Sequence, residues 1–225
     1  MQFSARPGNW LLLLVAVVLA ATAPATASDK AAQAEKYREC LRRIEQDPGQ
    51  GFEYAITWRD EGGGAPAFHC VAMALLEQGH EEEAALRLEK LALRPDAGGE
   101  IERAEILAQA GHAWLLAERP VEADVDFTSA IDLHPRNAQL YVDRAQASRM
   151  RGLWDEVVID TTKAISLDRQ FAQAYVLRAS ARRSKGDLAG AANDVERALQ
   201  LDPQNIGAAL ERAELIQLGR SINPQ

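Results

Sequence analysis

The chain is poor in the residues that usually carry chemistry. It holds four histidines and two cysteines. His69, His80, His112 and His134 form no i, i+4 pair with one another or with a carboxylate motif that reads as a metal site. P-loop, dinucleotide, G-x-S-x-G and H-E-x-x-H signatures are all missing. No catalytic residue, metal or cofactor is therefore expected, and the chain reads as a non-enzyme. Gly62-Gly63-Gly64 is followed by no lysine and is a linker, not a phosphate cradle. Positive charge is also short: 25 Lys and Arg stand against 33 Asp and Glu, a net charge of −8. That excludes nucleic acid, whose phosphates are neutralised by Lys and Arg, and peripheral binding to anionic lipid. Aromatic residues make up 6%, a composition that suits a helical solenoid packed with alanine and leucine.

Long apolar runs are rare too. The prominent one, Leu11 to Ala21, follows Arg6 and precedes Ala25-Thr26-Ala27. A short positive region, an apolar run and a small-x-small site are the layout of a secretory leader. The run is about half of the roughly 20 residues a spanning helix needs, so a retained anchor is the less favoured reading. No cysteine follows it closely and no arginine pair precedes it, which favours general secretion over a lipoprotein or twin-arginine route. Cleavage after Ala27 removes Arg6 and takes the net charge from −8 to −9. The protein is then periplasmic or secreted, with no stable membrane insertion. In an oxidising compartment Cys40 and Cys70 are expected to form a disulfide.

What is abundant is repetition. Residues 138–171 and 172–205 are two units of 34 residues that match at Tyr141/Tyr175, Arg144/Arg178, Ala145/Ala179, Gly152/Gly186, Asp160/Asp194, Ala164/Ala198, Leu167/Leu201 and Asp168/Asp202. A fixed period in the thirties means stacked helical pairs. Residues 104–137 form a preceding unit at 34, with Glu118-Arg119-Pro120 in place of the glycine turn. Residues 65–95 form another at a spacing of 39, because Asp96 to Gly99 is an insertion. A looser hairpin spans 28–64. Its first helix has the apolar face Tyr37, Cys40, Leu41 and Ile44, and Asp47-Pro48-Gly49 ends it. Residues 206–218 form one unpaired helix, expected to dock through Ile206, Ala209, Leu210 and Ala213 and to cap the array. The organisation is thus leader 1–27, degenerate hairpin 28–64, repeat array 65–205, and capping helix with tail 206–225.

The order of aromatic, small residue, glycine turn, Ala, then Leu-Asp-Pro resembles the tetratricopeptide repeat, well over 65–218 and weakly over 29–61. The resemblance implies an all-α, right-handed superhelical solenoid of helix-turn-helix repeats. It implies a binding role without naming the partner. In such a stack the first helices line a concave groove, with faces near Gln109, His112 and Leu116, then Val142, Gln146 and Arg149, then Val176, Ser180 and Arg183. This surface suits a peptide or a partner helix. Some members clamp a peptide's terminal carboxylate with paired Lys and Asn. Here the corresponding faces carry Val, Gln and Ser, so that kind of docking is not supported. A second pattern is particular to this chain: Asp126, Asp160 and Asp194 precede Arg144, Arg178 and Arg212 at one constant spacing. Three ion pairs between successive repeats are expected. Pairing within a unit fits less well, because Asp126 would then face Ala110. The reading is an exported bacterial interaction or scaffold module that binds a protein or peptide. The alternatives are a structural subunit of an envelope complex, or a thiol- or metal-dependent accessory factor using Cys40, His69 and Cys70.

Overall fold

The computed structural model describes residues 27–222. Among them are eleven α-helices and no strand: α1 (Ala27–Gln46), α2 (Pro48–Asp60), α3 (Gly64–Glu77), α4 (Glu81–Ala92), α5 (Glu100–Leu116), α6 (Pro120–Leu133), α7 (Ala138–Met150), α8 (Trp154–Leu167), α9 (Ala172–Ser184), α10 (Leu188–Leu201) and α11 (Ile206–Ile222). The leader expected at 1–27 lies, apart from Ala27, outside the described residues, as does 223–225. The all-α solenoid is what forms. Helices of 12 to 20 residues cannot bury an apolar face alone. Each therefore turns back on the one before, and each pair stacks on the next.

The turn between paired helices is the most regular device. Gly79, Gly152 and Gly186 occupy one repeat position at φ +75, +71 and +84, the left-handed conformation that closes a helix C-terminus. Glu118 occupies the same position in the α5–α6 turn and adopts φ 58 despite its side chain. The backbone still closes there, with Glu118 N donating to Leu115 O and Arg119 N to Trp114 O at 2.8 Å. Pro120 then starts α6, where no N–H partner is lost.

Small residues let the helices approach. Ala145 and Ala179 are fully buried. At the equivalent Gly111 an added Cβ would lie 2.7 Å from the Phe127 ring, so α5 and α6 meet across a glycine. The Tyr141 and Tyr175 hydroxyls donate to Pro135 O and Arg169 O six residues earlier, tying each unit to the linker that enters it.

Two local expectations are corrected. Asp47 does more than end α1: it caps α2, accepting from Gly49 N and Gln50 N, and Pro48 opens that helix. At the other end, α11 docks through the opposite face from the one expected. Ala208 is buried and Glu211 and Leu215 are partly covered, whereas Ile206 is 76% and Leu210 63% exposed. The cause is the missing partner. In α9 the residues equivalent to Ala209 and Ala213 are Tyr175 and Ala179, covered by α10, and among the described residues no following helix covers α11 in that way.

Candidate functional site

The first helices α1, α3, α5, α7, α9 and α11 form one wall of the solenoid. Successive ones pack together except α3 and α5, which are not packed along their lengths. Between these two lies a cleft of about 870 Å³, lined from α1, the start of α3 and α5. Asp96, Ala97 and Gly98 also line it. The insertion that lengthens the repeat spacing here is thus itself a wall of the cleft. Asp96 accepts from Ala65 N at the start of α3 and is paired with Arg94, which holds its carboxyl below the usual range.

A relay crosses one side of the cleft. Tyr37 OH on α1 meets His69 Nδ1 on α3 at 2.7 Å, and His69 Nε2 meets Gln109 Oε1 on α5. With Tyr37 donating to Nδ1 and Nε2–H donating to Gln109, one neutral tautomer satisfies both contacts. Burial lowers the His69 pKa, with the Gln109 contact opposing it, and burial raises that of Tyr37. The imidazole joins three helices, with both ring nitrogens engaged. Cys70, next in sequence, points away into the core, where it and Cys40 are fully buried and within disulfide-bonding distance, their Cα atoms 6.5 Å apart. Cys40, His69 and Cys70 therefore do not converge as a reactive cluster. Among the described residues no group of three or more His, Cys, Asp or Glu is placed to hold a metal.

The concave residues expected from the sequence separate into two sets. His112 and Arg149 are exposed, and Gln146 and Ser180 are partly so. Val142 is fully buried and Val176 is 8% exposed. Both are corrections. These valines face the neighbouring first helix: Val142 lies in a cluster with Ala104 and Leu177, and Val176 lies in one with Ala208 of α11. Arg183 is also corrected as a partner contact, because it pairs with Glu211 on α11 at 2.8 Å. Gln109, Asp143 and Glu211 hold one repeat position, and each meets the preceding first helix, through His69, His112 and Arg183 respectively. Leu177 takes the same position with an apolar contact. The repeat spacing could have shown this series, but a match by identity passes over Gln, Asp, Leu and Glu.

The expected inter-repeat ion pairs do not form. Arg144 donates to Asp160 through Nε at 2.9 Å and Nη2 at 2.7 Å, and Arg178 to Asp194 at 2.9 and 2.8 Å. Each pair lies within its own hairpin, 16 residues apart. The link between repeats comes from the third guanidinium nitrogen, which reaches Thr128 or Thr162 of the preceding unit at 3.1 Å. Arg182 adds a second cation to Asp194. Arg212 is exposed, and among the described residues no helix follows α11 to supply an aspartate. Asp126 is left without an arginine. It is 5% exposed, its Oδ2 has no hydrogen-bond partner, and burial with the nearby Glu89 charge raises its pKa to about 7. Trp114 Nε1 donates to Glu89 beside it.

No family model and no curated protein matches the chain in sequence. Solved structures do. The Arabidopsis OM64 TPR domain is 32% identical, covering 53% of this chain and 98% of its own, with a TM-score of 0.52. The first TPR of Spaghetti (RPAP3), solved bound to the HSP90 peptide SRMEEVD, is 28% identical over 53% of this chain and 95% of its own, at 0.52. MamA from Desulfovibrio magneticus RS-1 is 18% identical over 77% of this chain and 97% of its own, at 0.64, a likeness of fold. The buried small residues, the left-handed turns and the regularly spaced helix pairs agree with these likenesses: the chain belongs to the tetratricopeptide repeat proteins.

Proposed function

We propose that this protein is an exported interaction module whose first helices bind an extended segment of a partner protein. The observation that carries the reading is the open surface running from the α1–α3–α5 cleft to a second groove of about 230 Å³ between α5 and α7; the two share Glu105 and Gln109. A wall built from packed helices would let a peptide bind with little backbone rearrangement, which limits the entropy lost on association. The peptide complex of the RPAP3 repeat supports the class of ligand. No helix among the described residues is long and apolar enough to cross a membrane. Residues 1–27 act in this reading as a cleaved leader that delivers the chain to the bacterial periplasm, where Cys40 and Cys70 are oxidised.

Peptides selected from a random display library test the binding surface. Their amide chemical-shift changes should fall on Gln109, His112, Gln146, Arg149 and Ser180. Changes centred instead on Val125 and Ile159, exposed on the second helices α6 and α8, would place binding on the other face and end this reading.

A further inference from the structure

Among the described residues, α11 is the one first helix that no second helix follows and covers. Stepping by 34 residues, Ala209, Arg212 and Ala213 hold the places of Tyr175, Arg178 and Ala179 on α9. On α9 those places are covered by α10: Tyr175 packs with Ala198, Ala179 with Ala191 and Val195, and Arg178 forks onto Asp194. On α11 all three are exposed, and Ile216 is 50% exposed. A groove of about 570 Å³ opens beside this face, walled by Val195 and Leu199 of α10 and by Leu215 and Ile216 of α11.

Arg212 points to what covers this face. It makes no hydrogen bond or ion pair among the described residues, whereas Arg144 and Arg178 each hold an aspartate through Nε and Nη2. Glu196 of α10 also lines the groove, at the repeat position of Thr128 and Thr162, which take the third nitrogen, Nη1. By that equivalence Glu196 faces Nη1 and leaves the Nε–Nη2 edge of Arg212 for an incoming carboxylate. The chain itself shows twice what fits such a face. Helix α8 presents Val157, Asp160 and Ala164, and α10 presents Ala191, Asp194 and Ala198, all buried and spaced alike. The aspartate meets the arginine, and the small residues three before and four after it let the helices close. A second copy has no free helix of this kind, because α6, α8 and α10 bury theirs in their own hairpins.

We propose that the second-helix face of α11 is a docking site for an amphipathic helix of a partner protein. That helix carries an aspartate with Ala or Val three residues before it and Ala four residues after. It lies along α11 as α10 lies along α9, with its aspartate on the Arg212 guanidinium and its apolar edge in the groove against Leu199 and Ile216. The face is turned away from the concave wall, so the site stands or falls independently of the peptide groove.

The probe is a fluorescent peptide with the sequence of residues 187–202, which spans α10 and its capping Asp187. A hydrocarbon staple between the exposed positions of Asn193 and Arg197 holds it helical. A second peptide carries Asp194→Arg. Fluorescence anisotropy with the protein should show saturable binding of the first peptide. The second should bind at least about tenfold more weakly, the loss expected when a charge-assisted pair becomes a like-charge pair. In the Arg212→Glu protein the order should reverse, with the arginine peptide the tighter binder, a result that lost folding cannot produce. Ala213→Glu, which sets a charge in the middle of the contact, should abolish binding of both peptides. Light scattering of the free protein should give the same mass with and without Ala213→Glu. Unchanged binding of the first peptide to Arg212→Glu marks exchange with α10 in its own hairpin and overturns the proposal, as does no binding of the first peptide to the unaltered protein. A mass that falls on Ala213→Glu makes a second copy the occupant and overturns it too.

Discussion

Asp126 shows what a single position does when its repeat partner is missing. Asp160 and Asp194 are buried to a similar degree, but each faces an arginine. At the matching place α5 carries Ala110, and Glu89 stands where later units have Thr128 and Thr162. The groups facing Asp126 are therefore Glu89 from α4 and the Trp114 N–H from α5, with no cation to offset desolvation. A carboxyl whose folded pKa is raised holds a proton that the unfolded chain has released. Between the ordinary value of 3.8 and about 7, stability must then fall as pH rises, by up to about 4 kcal/mol. Asp126→Asn should remove this slope and stabilise the protein at pH 8 by about 2–4 kcal/mol. Urea denaturation of both proteins from pH 5 to 8 checks it; parallel curves would show that Asp126 does not titrate there. The mismatch of Asp126 with Ala110 was legible in the sequence. Its consequence was not, because only packing shows that no other cation reaches the site.

At the scale of elements, the arginine–aspartate pairs show where repetition stops being informative. In a strict repeat, an arginine that follows one aspartate at a fixed distance also precedes the next aspartate at a fixed distance. Here the two distances are nearly equal, so periodicity alone cannot choose between the partners. The hairpin chooses, because the facing helices of one unit bring Arg178 and Asp194 together in a two-pronged contact. A double-mutant cycle on Arg178→Ala and Asp194→Ala should give a coupling of about 1.5–3 kcal/mol, in the range of charged, partly buried hydrogen bonds. The cycle with Asp160→Ala should give about zero, within the additivity of sites that share no contact. The reverse order would restore inter-repeat pairing. Helix α11 makes the same point. Its apolar residues were readable, but which face docks depends on a following helix, and among the described residues none follows α11.

For the whole molecule, stability follows from stacking, so a constraint in one hairpin acts mainly on that hairpin and its neighbours. The cysteine pair joins α1 to α3 across 30 residues. Chain recovered from an envelope fraction should have the mass of residues 28–225 less two hydrogens. Changing both Cys40 and Cys70 to Ser should cost about 3–4 kcal/mol by loop-closure entropy, with loss of amide protection concentrated in α1 to α3. A full-length mass, or free thiols, would argue against export. The sequence by itself determined the helical repeat, its turns and its small-residue contacts, because these depend on spacings within a single repeat length. Only the tertiary structure decided the rest: that the inserted linker walls a cleft between α3 and α5, that Val142 and Val176 close against neighbouring helices, and that Arg183 belongs to α11. The physical reason is that contacts between repeats depend on the angle at which one helix pair meets the next. That angle is set by the packing of all the faces at once, not by the residues of any one unit.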